Sequence, residues 1–304
     1  MSVVATTLDL HTHSTASDGL HPPTELVGLA RQAGLTMVAL TDHDTTNGLA
    51  EAQAAGVTYG VTVIPGIEIN TYLPQRRGEA HVLGYYLDTA NSDLQGFLQF
   101  LRDARVKRGE RMVALLREQG YDITWERVRE LAHGAVGRPH VALALMEKGY
   151  AESISDAFDR YISPGRPAYV PRFKLAPEDA VRLIRSVRGV PVLAHPMRLY
   201  GLEDDLLPRL MAAGLLGLEC YYGEYDEATV EHLLALAEQH GLAATGGSDY
   251  HGPGVHPTPL GGRYVPPAAV TRLRELADEL AREPAPPFTP PMPPMSPMPP
   301  TSTT

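Results

Sequence analysis

Nine side chains able to bind a metal ion sit at or beside the ends of short apolar runs. They are His11, His13 and Asp18 in LDLHTHSTASDG, His43 in MVALTDHD, Glu68 in VIPGIEI, His81 in EAHVLGYY, His195 in VPVLAHP, and Asp249 and His251 in AATGGSDYH. If those runs are strands of one sheet, their ends converge and the side chains become a cluster. Imidazole mixed with carboxylate suits Mn²⁺, Zn²⁺ or Fe²⁺ and argues against Ca²⁺, which takes oxygen ligands. Ions that share a carboxylate can hold a bridging water and make it acidic near neutral pH, so hydrolysis is the expected chemistry. His11-x-His13 alone is weak evidence. Asp18 in the following turn, His43 and the Asp249–His251 pair make the set specific.

The elements that must position these residues are legible as an alternation. Seven strand-like runs stand out: VATTLDL, TMVALT, VTVIPGIEI, EAHVLGYY, VPVLAH, LLGLECY and LAATGGS. Val, Ile, Leu and Thr dominate them, and Gly or Pro often marks an end. Helical patterns over 24–33, 47–55, 177–187, 204–213 and 226–240 separate most of them. Thr24 and Asn47 are expected N-caps; Gly34, Gly56, Gly189, Gly214 and Gly241 are expected stops. Alternation of this kind predicts a parallel sheet closed into a barrel, with chemistry at the C-terminal ends of its strands. The barrel is assigned to residues 1–90 and 175–283. Residues 91–174 break the alternation and read as helices over 93–119, 124–132, 139–148 and 153–162, an insertion that caps the site. Residues 284–304 are rich in Pro and are expected to be a disordered or polyproline-like tail.

Bulk properties narrow the class. The chain has 304 residues, a net charge of −10 and one cysteine, Cys220. That balance argues against broad nucleic-acid binding. The lone cysteine excludes an internal disulfide and fits a reducing compartment. With no signal-peptide pattern and no long apolar run, the expected location is cytoplasmic. Charge is uneven: residues 92–188 carry more Lys and Arg than Asp and Glu. That is either an ordinary uneven surface or an attraction for an anionic substrate.

The motifs LHTHSTASDG, LTDHD, GIEI, EAHVLGYY, LAHP and GSDYH together resemble the PHP (polymerase and histidinol phosphatase) domain phosphoesterases, over most of residues 8–255. The resemblance implies an α/β fold, a distorted (β/α)7 barrel, with all nine ligand positions filled. It implies that His11, His13, Glu68 and Asp249 hold one metal. Glu68 would bridge to a second, completed by His81 and His195, and Asp18, His43 and His251 would hold a third. Two to three divalent ions would then present a bridging hydroxide for in-line attack on phosphorus, with the remaining charge neutralised around the transition state.

Substrate residues are less marked. Arg138 and Pro139 in VGRPHVAL read as a helix N-terminus, a ready anion site. The family's comparable GR-x-H motif suggests that Arg138, and with it His140, faces substrate. The run from Arg102 to Arg111 reads mainly as a solvated helix face, with substrate tracking as the lesser reading; Lys174 and Arg198 are similar candidates. Asp42 or Asp44 is a candidate to orient His43, and Glu219 is a further candidate at a strand end. Cys220 reads as core. His133, His232, His240 and His256 read as structural or surface, and Trp125, Tyr221 and Tyr222 as packing residues able to stack a base. The length and insertion resemble the stand-alone bacterial branch, which hydrolyses nucleoside 3′,5′-bisphosphates or removes nucleotides from the 5′ end of short RNA. Histidinol-phosphate phosphatase is the alternative within the class, and a non-catalytic partner-binding module the alternative outside it. A small phosphorylated substrate, no membrane and no obligate protein partner are expected.

Overall fold

The computed structural model describes residues 7–73, 79–132, 136–171, 173, 175–199 and 202–291. All seven apolar runs form strands: β1 Leu8–Thr12, β2 Met37–Leu40, β3 Thr62–Asn70, β4 His81–Tyr85, β5 Val190–Leu193, β6 Gly217–Tyr222 and β7 Ala243–Gly247. They lie in chain order, β1-β2-β3-β4-β5-β6-β7. The two edges then meet. Thr12 bridges Tyr250 in parallel, and the His13 amide donates to the Tyr250 carbonyl at 2.9 Å. The Tyr85 hydroxyl of β4 donates to the Leu10 carbonyl of β1 at 2.8 Å, across the interior. The sheet is therefore a nearly closed barrel.

Helices α1 Pro23–Gln32 and α2 Leu49–Tyr59 follow β1 and β2. Between β4 and β5 come α3 Ser92–Glu118, α4 Trp125–Leu131, α5 Arg138–Glu147, α6 Ile154–Ala157 and α7 Pro177–Ser186. Helices α8 Leu207–Ala213, α9 Glu227–His240 and α10 Pro267–Arg282 complete the fold. The interior buries Leu8, Leu10, Ala39, Ile64, Leu83 and Val192 from five strands, closed off by Val270, Leu273 and Leu276 of α10. The amphipathic α10 was not among the expected helices. None of the described helices is long and apolar enough to cross a membrane.

The sheet is not wholly parallel, as the alternation suggested. β4 runs antiparallel to both β3 and β5. The reason lies in the connection: residues 71–80 leave no room for the crossover that a parallel neighbour needs. The reversal matters for the site. His81 is the first residue of β4, not one that follows a strand, and it pairs with Asn70, the last residue of β3. Reversal puts the start of β4 at the rim where the other strands end.

Other boundaries shift by a few residues. The residues preceding α1 and α2 are Pro22 and Gly48, not Thr24 and Asn47. Thr24 bonds to Glu51 instead, through both its amide and its hydroxyl. α2 runs through Gly56 and ends at Gly60, whose φ of 67° is left-handed. Gly56 serves a close approach: a Cβ there would lie 2.6 Å from the Val61 carbonyl. α8 and α9 do end at Gly214 and Gly241, both left-handed.

The long α3 spans two cores. Leu94, Phe97, Leu98 and Leu101 pack with the barrel's outer layer. Met112, Val113 and Leu116 pack with Val128, Val141, Leu145 and Ile162 in a separate helical cluster. Residues 91–174 are therefore tied to the barrel along half of one helix. The start of the tail also has a partner: Phe288 meets Phe97 edge to face, with centroids 6.4 Å apart. Of the tail expected over 284–304 to be disordered or polyproline-like, residues 285–291 line a groove with α3 and α7; 292–304 fall outside the described residues.

Closure is tightest where β7 passes β1. A Cβ on Gly247 would lie 2.5 Å from both the Cβ and the amide nitrogen of His11. Gly247→Ala should therefore destabilise the fold by roughly 1–3 kcal/mol through overpacking, read as a lower denaturation midpoint. An unchanged midpoint would mean that the seam can open.

Candidate metal centre

The structure brings all nine predicted side chains to one end of the barrel. Glu68 is the hub. Its Oε2 lies 3.1 Å from His11 Nε2, 3.1 Å from His13 Nε2 and 3.2 Å from His43 Nδ1. Its Oε1 lies 2.9 Å from His81 Nδ1 and 3.3 Å from His195 Nε2. Asp249 Oδ1 stands 3.3 Å from both His11 Nε2 and His13 Nε2. Asp18 sits further out, with Oδ1 3.3 Å from His251 Nε2 and Oδ2 3.8 Å from His43 Nε2. Ligand atoms within 4.8 Å of one another form the sets His11–His13–Glu68–Asp249, His43–Glu68–His81 and His13–Asp18–His43–His251.

The donor atoms fit divalent cations. Ring nitrogens of His13, His43, His81 and His195 are buried without a hydrogen-bond partner, and both nitrogens of His13 are among them. Buried polar atoms are normally paired. His13 Nε2 is close to two carboxylates but not aligned to donate to either. Atoms that converge without hydrogen-bond alignment fit ligands arranged around a common centre. Nitrogen mixed with carboxylate oxygen fits a borderline divalent metal.

Local sequence explains the convergence. Asp42 ties down the loop after β1 by accepting from the Ser14 amide at 2.8 Å, the Ser14 hydroxyl at 2.7 Å and the Ser17 hydroxyl at 2.6 Å. Gly19 closes that loop where a Cβ would stand 2.4 Å from the His13 carbonyl oxygen. Asp44, His195 and Asp249 hold left-handed φ of 54°, 29° and 56°. Such φ values in non-glycine residues are uncommon and cluster at functional sites.

Supporting groups went largely unforeseen. Asp9 accepts from the Ser248 amide at 2.9 Å, the Ser248 hydroxyl at 2.6 Å and the Gly261 amide at 2.9 Å. Burial pushes its pKa up against these bonds. Its place two residues before His11 on a buried strand was the available signal. The Tyr222 hydroxyl donates to Asp249 Oδ2 at 2.9 Å. Glu219, a candidate from sequence, lies behind the cluster, with Oε1 2.8 Å from His11 Nδ1 and Oε2 accepting from the His195 amide at 2.7 Å. Asp42 serves Ser14 and Ser17, while Asp44 accepts from Asn70 and Arg105.

His256, read as structural or surface, stands at the mouth of the cluster. Its ring centroid is 4.8 Å from that of His251, and its Nε2 is 4.0 Å from Asp249 Oδ2. Arg198 is nearby, over the Tyr222 ring at 5.2 Å and bonded to Glu224 at 2.8 Å. His133 and Lys174 lie outside the described residues. Cys220 is buried, as a core residue would be, and burial pushes its thiol up to about 12.

A cleft of about 1150 Å³ runs from the cluster to the helices between β4 and β5. Asp18, His43 and His81 of the cluster line it together with Arg105, Arg108, Arg138 and His140. Arg138 opens α5 and lies over the Phe158 ring at 5.0 Å. His140 Nδ1 accepts from the Gly137 amide at 2.9 Å. Part of the Arg102–Arg111 run thus faces the cleft and not solvent. Arg105 bonds to Asp44 at 3.0 Å, and Arg108 donates to the Val170 carbonyl at 2.7 Å. The cleft's aromatic residues are Tyr72, Phe158 and Tyr169. Trp125 packs in the helical cluster and Tyr221 against the barrel core, away from the roles of base-stacking platforms.

Known proteins resemble this chain in sequence and fold. The PHP domain model matches residues 9–165. A 3′,5′-nucleoside bisphosphate phosphatase of Chromobacterium violaceum is 34% identical over 90% of this chain and 98% of its own. The 5′-3′ exoribonuclease Rnm of Salmonella typhimurium is 36% identical over 81% of this chain and 85% of its own. A crystal structure from Bifidobacterium adolescentis, assigned as a metal-dependent phosphoesterase, superposes with a TM-score of 0.74 at 34% identity, covering 90% of this chain and 96% of that one. Fold and site together define a phosphoric ester hydrolase built on a barrel. The chain belongs to the PHP domain family.

Protonation follows from the crowding. Burial works against charge on His13, but Asp249 and Glu68 outweigh it and lift its pKa to about 10. Glu68 and Glu79 likewise overcome burial to lift His81 to about 9. Burial, helped by His13 and His81, depresses His43 to about 3. In the metal-free protein His13 and His81 therefore hold protons at neutral pH, and a cation must displace them. Apparent Mn²⁺ affinity should rise as pH rises between about 6 and 9, with protons released on binding. Calorimetry in buffers of different ionisation enthalpy measures both. An affinity independent of pH would exclude these imidazoles as ligands.

Proposed function

We propose that this protein is a metal-dependent phosphoesterase that hydrolyses phosphate esters of nucleotides, with a nucleoside 3′,5′-bisphosphate or the 5′ end of a short RNA as substrate. The carrying observation is a cleft lined both by Asp18, His43 and His81 of the cluster and by Arg105, Arg108 and Arg138. In this reading the nine side chains hold two to three ions of Mn²⁺, Zn²⁺ or Fe²⁺. His11, His13, Glu68 and Asp249 form one group, Glu68, His81 and His195 a second, and Asp18, His43 and His251 a third. Such ions, when bound, polarise a phosphoryl oxygen and lower the pKa of water toward neutrality.

The chain's own residues do the rest. The barrel rim presents the reacting phosphate to ligands fixed from behind by Asp9, Glu219 and Tyr222. Arg138, at the start of α5, receives the second phosphate, with the Gly137–His140 turn shaping that end. Arg108 adds positive potential along the path between them, whereas Arg105 is paired with Asp44. Tyr72 and Tyr169 line the same cleft and offer faces to a base. Names of the relatives support this substrate class. Histidinol phosphate is disfavoured by the same wall: its ammonium group would face the guanidinium groups of Arg108 and Arg138. A non-catalytic role finds no support in a cluster with its ligand set intact.

Phosphate release from adenosine 3′,5′-bisphosphate, from adenosine 3′-monophosphate and from histidinol phosphate tests the reading. The bisphosphate should have the highest kcat/KM. Asp249→Ala and His13→Ala should remove turnover while leaving the protein folded by circular dichroism. Arg138→Ala should cost roughly 2–4 kcal/mol of transition-state binding for the bisphosphate, and much less for the monophosphate. Equal losses on both substrates would show that Arg138 does not read the second phosphate.

A further inference from the structure

Glu219 lies on β6 with no exposed surface. It is not one of the nine side chains around the rim. Yet each of its oxygens touches one of them. Oε1 is 2.8 Å from His11 Nδ1, and Oε2 accepts from the His195 amide at 2.7 Å. Those histidines belong to different groups of the proposed cluster, and both reach Glu68 through Nε2. Glu68 thus joins them from the front and Glu219 from behind.

We propose that Glu219 is a positioning residue that sets two metal ligands at once: it fixes the ring tautomer of His11 and the backbone of His195. This rests on the ligand reading given above. A carboxylate accepts at both oxygens and donates at neither. In the metal-loaded protein, therefore, His11 Nδ1 must carry the proton, which leaves Nε2 unprotonated toward Glu68 and Asp249. A ring nitrogen that bears a proton cannot ligate, so the partner of the other nitrogen decides whether the ring binds metal. The His195 contact does a different task. His195 has a φ of 29°, sparsely populated for a non-glycine residue, directly after β5. Its amide donates to Glu219, which anchors the turn that aims its ring at Glu68.

The two tasks come apart on substitution. An amide has one accepting oxygen and one donating nitrogen. The His195 amide can only donate, so in Glu219→Gln it retains the oxygen, and the amide nitrogen faces His11 Nδ1. His11 Nδ1 must then accept, and the proton moves to Nε2, the atom that faces the cluster. Glu219→Gln should therefore weaken the group containing His11 and spare the group containing His195. Glu219→Ala removes both contacts and should weaken both.

Mn²⁺ titration of metal-free protein by calorimetry, with elemental analysis after dialysis, tests this. Wild type should bind at least two ions. Glu219→Gln should weaken one of them by roughly 10- to 100-fold, and Glu219→Ala at least two. Thermal unfolding of the metal-free variants monitors the fold, and Cys220→Ser serves as the neighbouring buried control with wild-type binding. Equal weakening of all ions in folded Glu219→Gln, or wild-type affinity in it, would overturn the positioning role. Wild-type protein that binds fewer than two ions would instead overturn the ligand reading, so the two failures are distinguishable.

Discussion

Everything at the catalytic end of the barrel depends on one buried carboxylate. Glu68 is almost fully enclosed and faces rings from five histidines. A buried charge is costly unless surrounded by partners of opposite sign. Here burial drives the Glu68 carboxyl up, but the surrounding imidazoles, His11 and His81 among them, overcome it and hold the group well below its ordinary range. Glu68 therefore stays ionised at the place where positive charge must collect. β3 lies among the strands that supply those rings: β2 leads to His43, and β4 begins with His81. Closure of the barrel brings β1 and β5 close enough for His11, His13 and His195 to reach the same oxygens.

Closure alone would not suffice, because a parallel β4 would start at the opposite rim. The short link after β3 forces reversal, and reversal puts His81 opposite Asn70. The strand that departs from the regular alternation thus supplies a contact of 2.9 Å to the hub. Local conformation adds the remaining corrections. The left-handed backbone at His195 and Asp249 turns each chain segment sharply as it leaves the sheet. Glu219 and Tyr222 hold those two residues from the neighbouring β6. The strain and its restraint therefore lie on adjacent strands.

Much of this was legible in the sequence, and the reason is physical. A strand inside a barrel must be apolar, so a polar titratable residue beside its end stands out. Seven runs and nine side chains were found by that contrast. What it could not reveal were partners whose signal lies in distant pairing. Glu219 and His11 are separated by 208 residues, and nothing local to either marks the contact. Asp9 looked like an ordinary polar residue in a strand, although its three acceptor contacts around residues 248 and 261 join the barrel's two edges. The reversal of β4 was readable from the length of its connection, but strand composition carries no direction. His256 follows a glycine-rich turn with no apolar run before it, so the contrast that exposed the others was missing.

The same hydrogen bonds connect the hub to the cationic wall. Asn70 stands two residues after Glu68 at the end of β3, and both its amide and its side chain donate to Asp44 at 3.0 Å. Asp44 also accepts from Arg105 at 3.0 Å. Arg105 is on α3, whose first half is anchored in the barrel core and whose second half is built into the helical cluster that presents Arg138. The cationic wall is thereby tied to the barrel through Asn70, Asp44 and α3. Asp44 neutralises Arg105 at close range, so the charge that reaches across the cleft comes chiefly from the guanidinium groups farther along the wall.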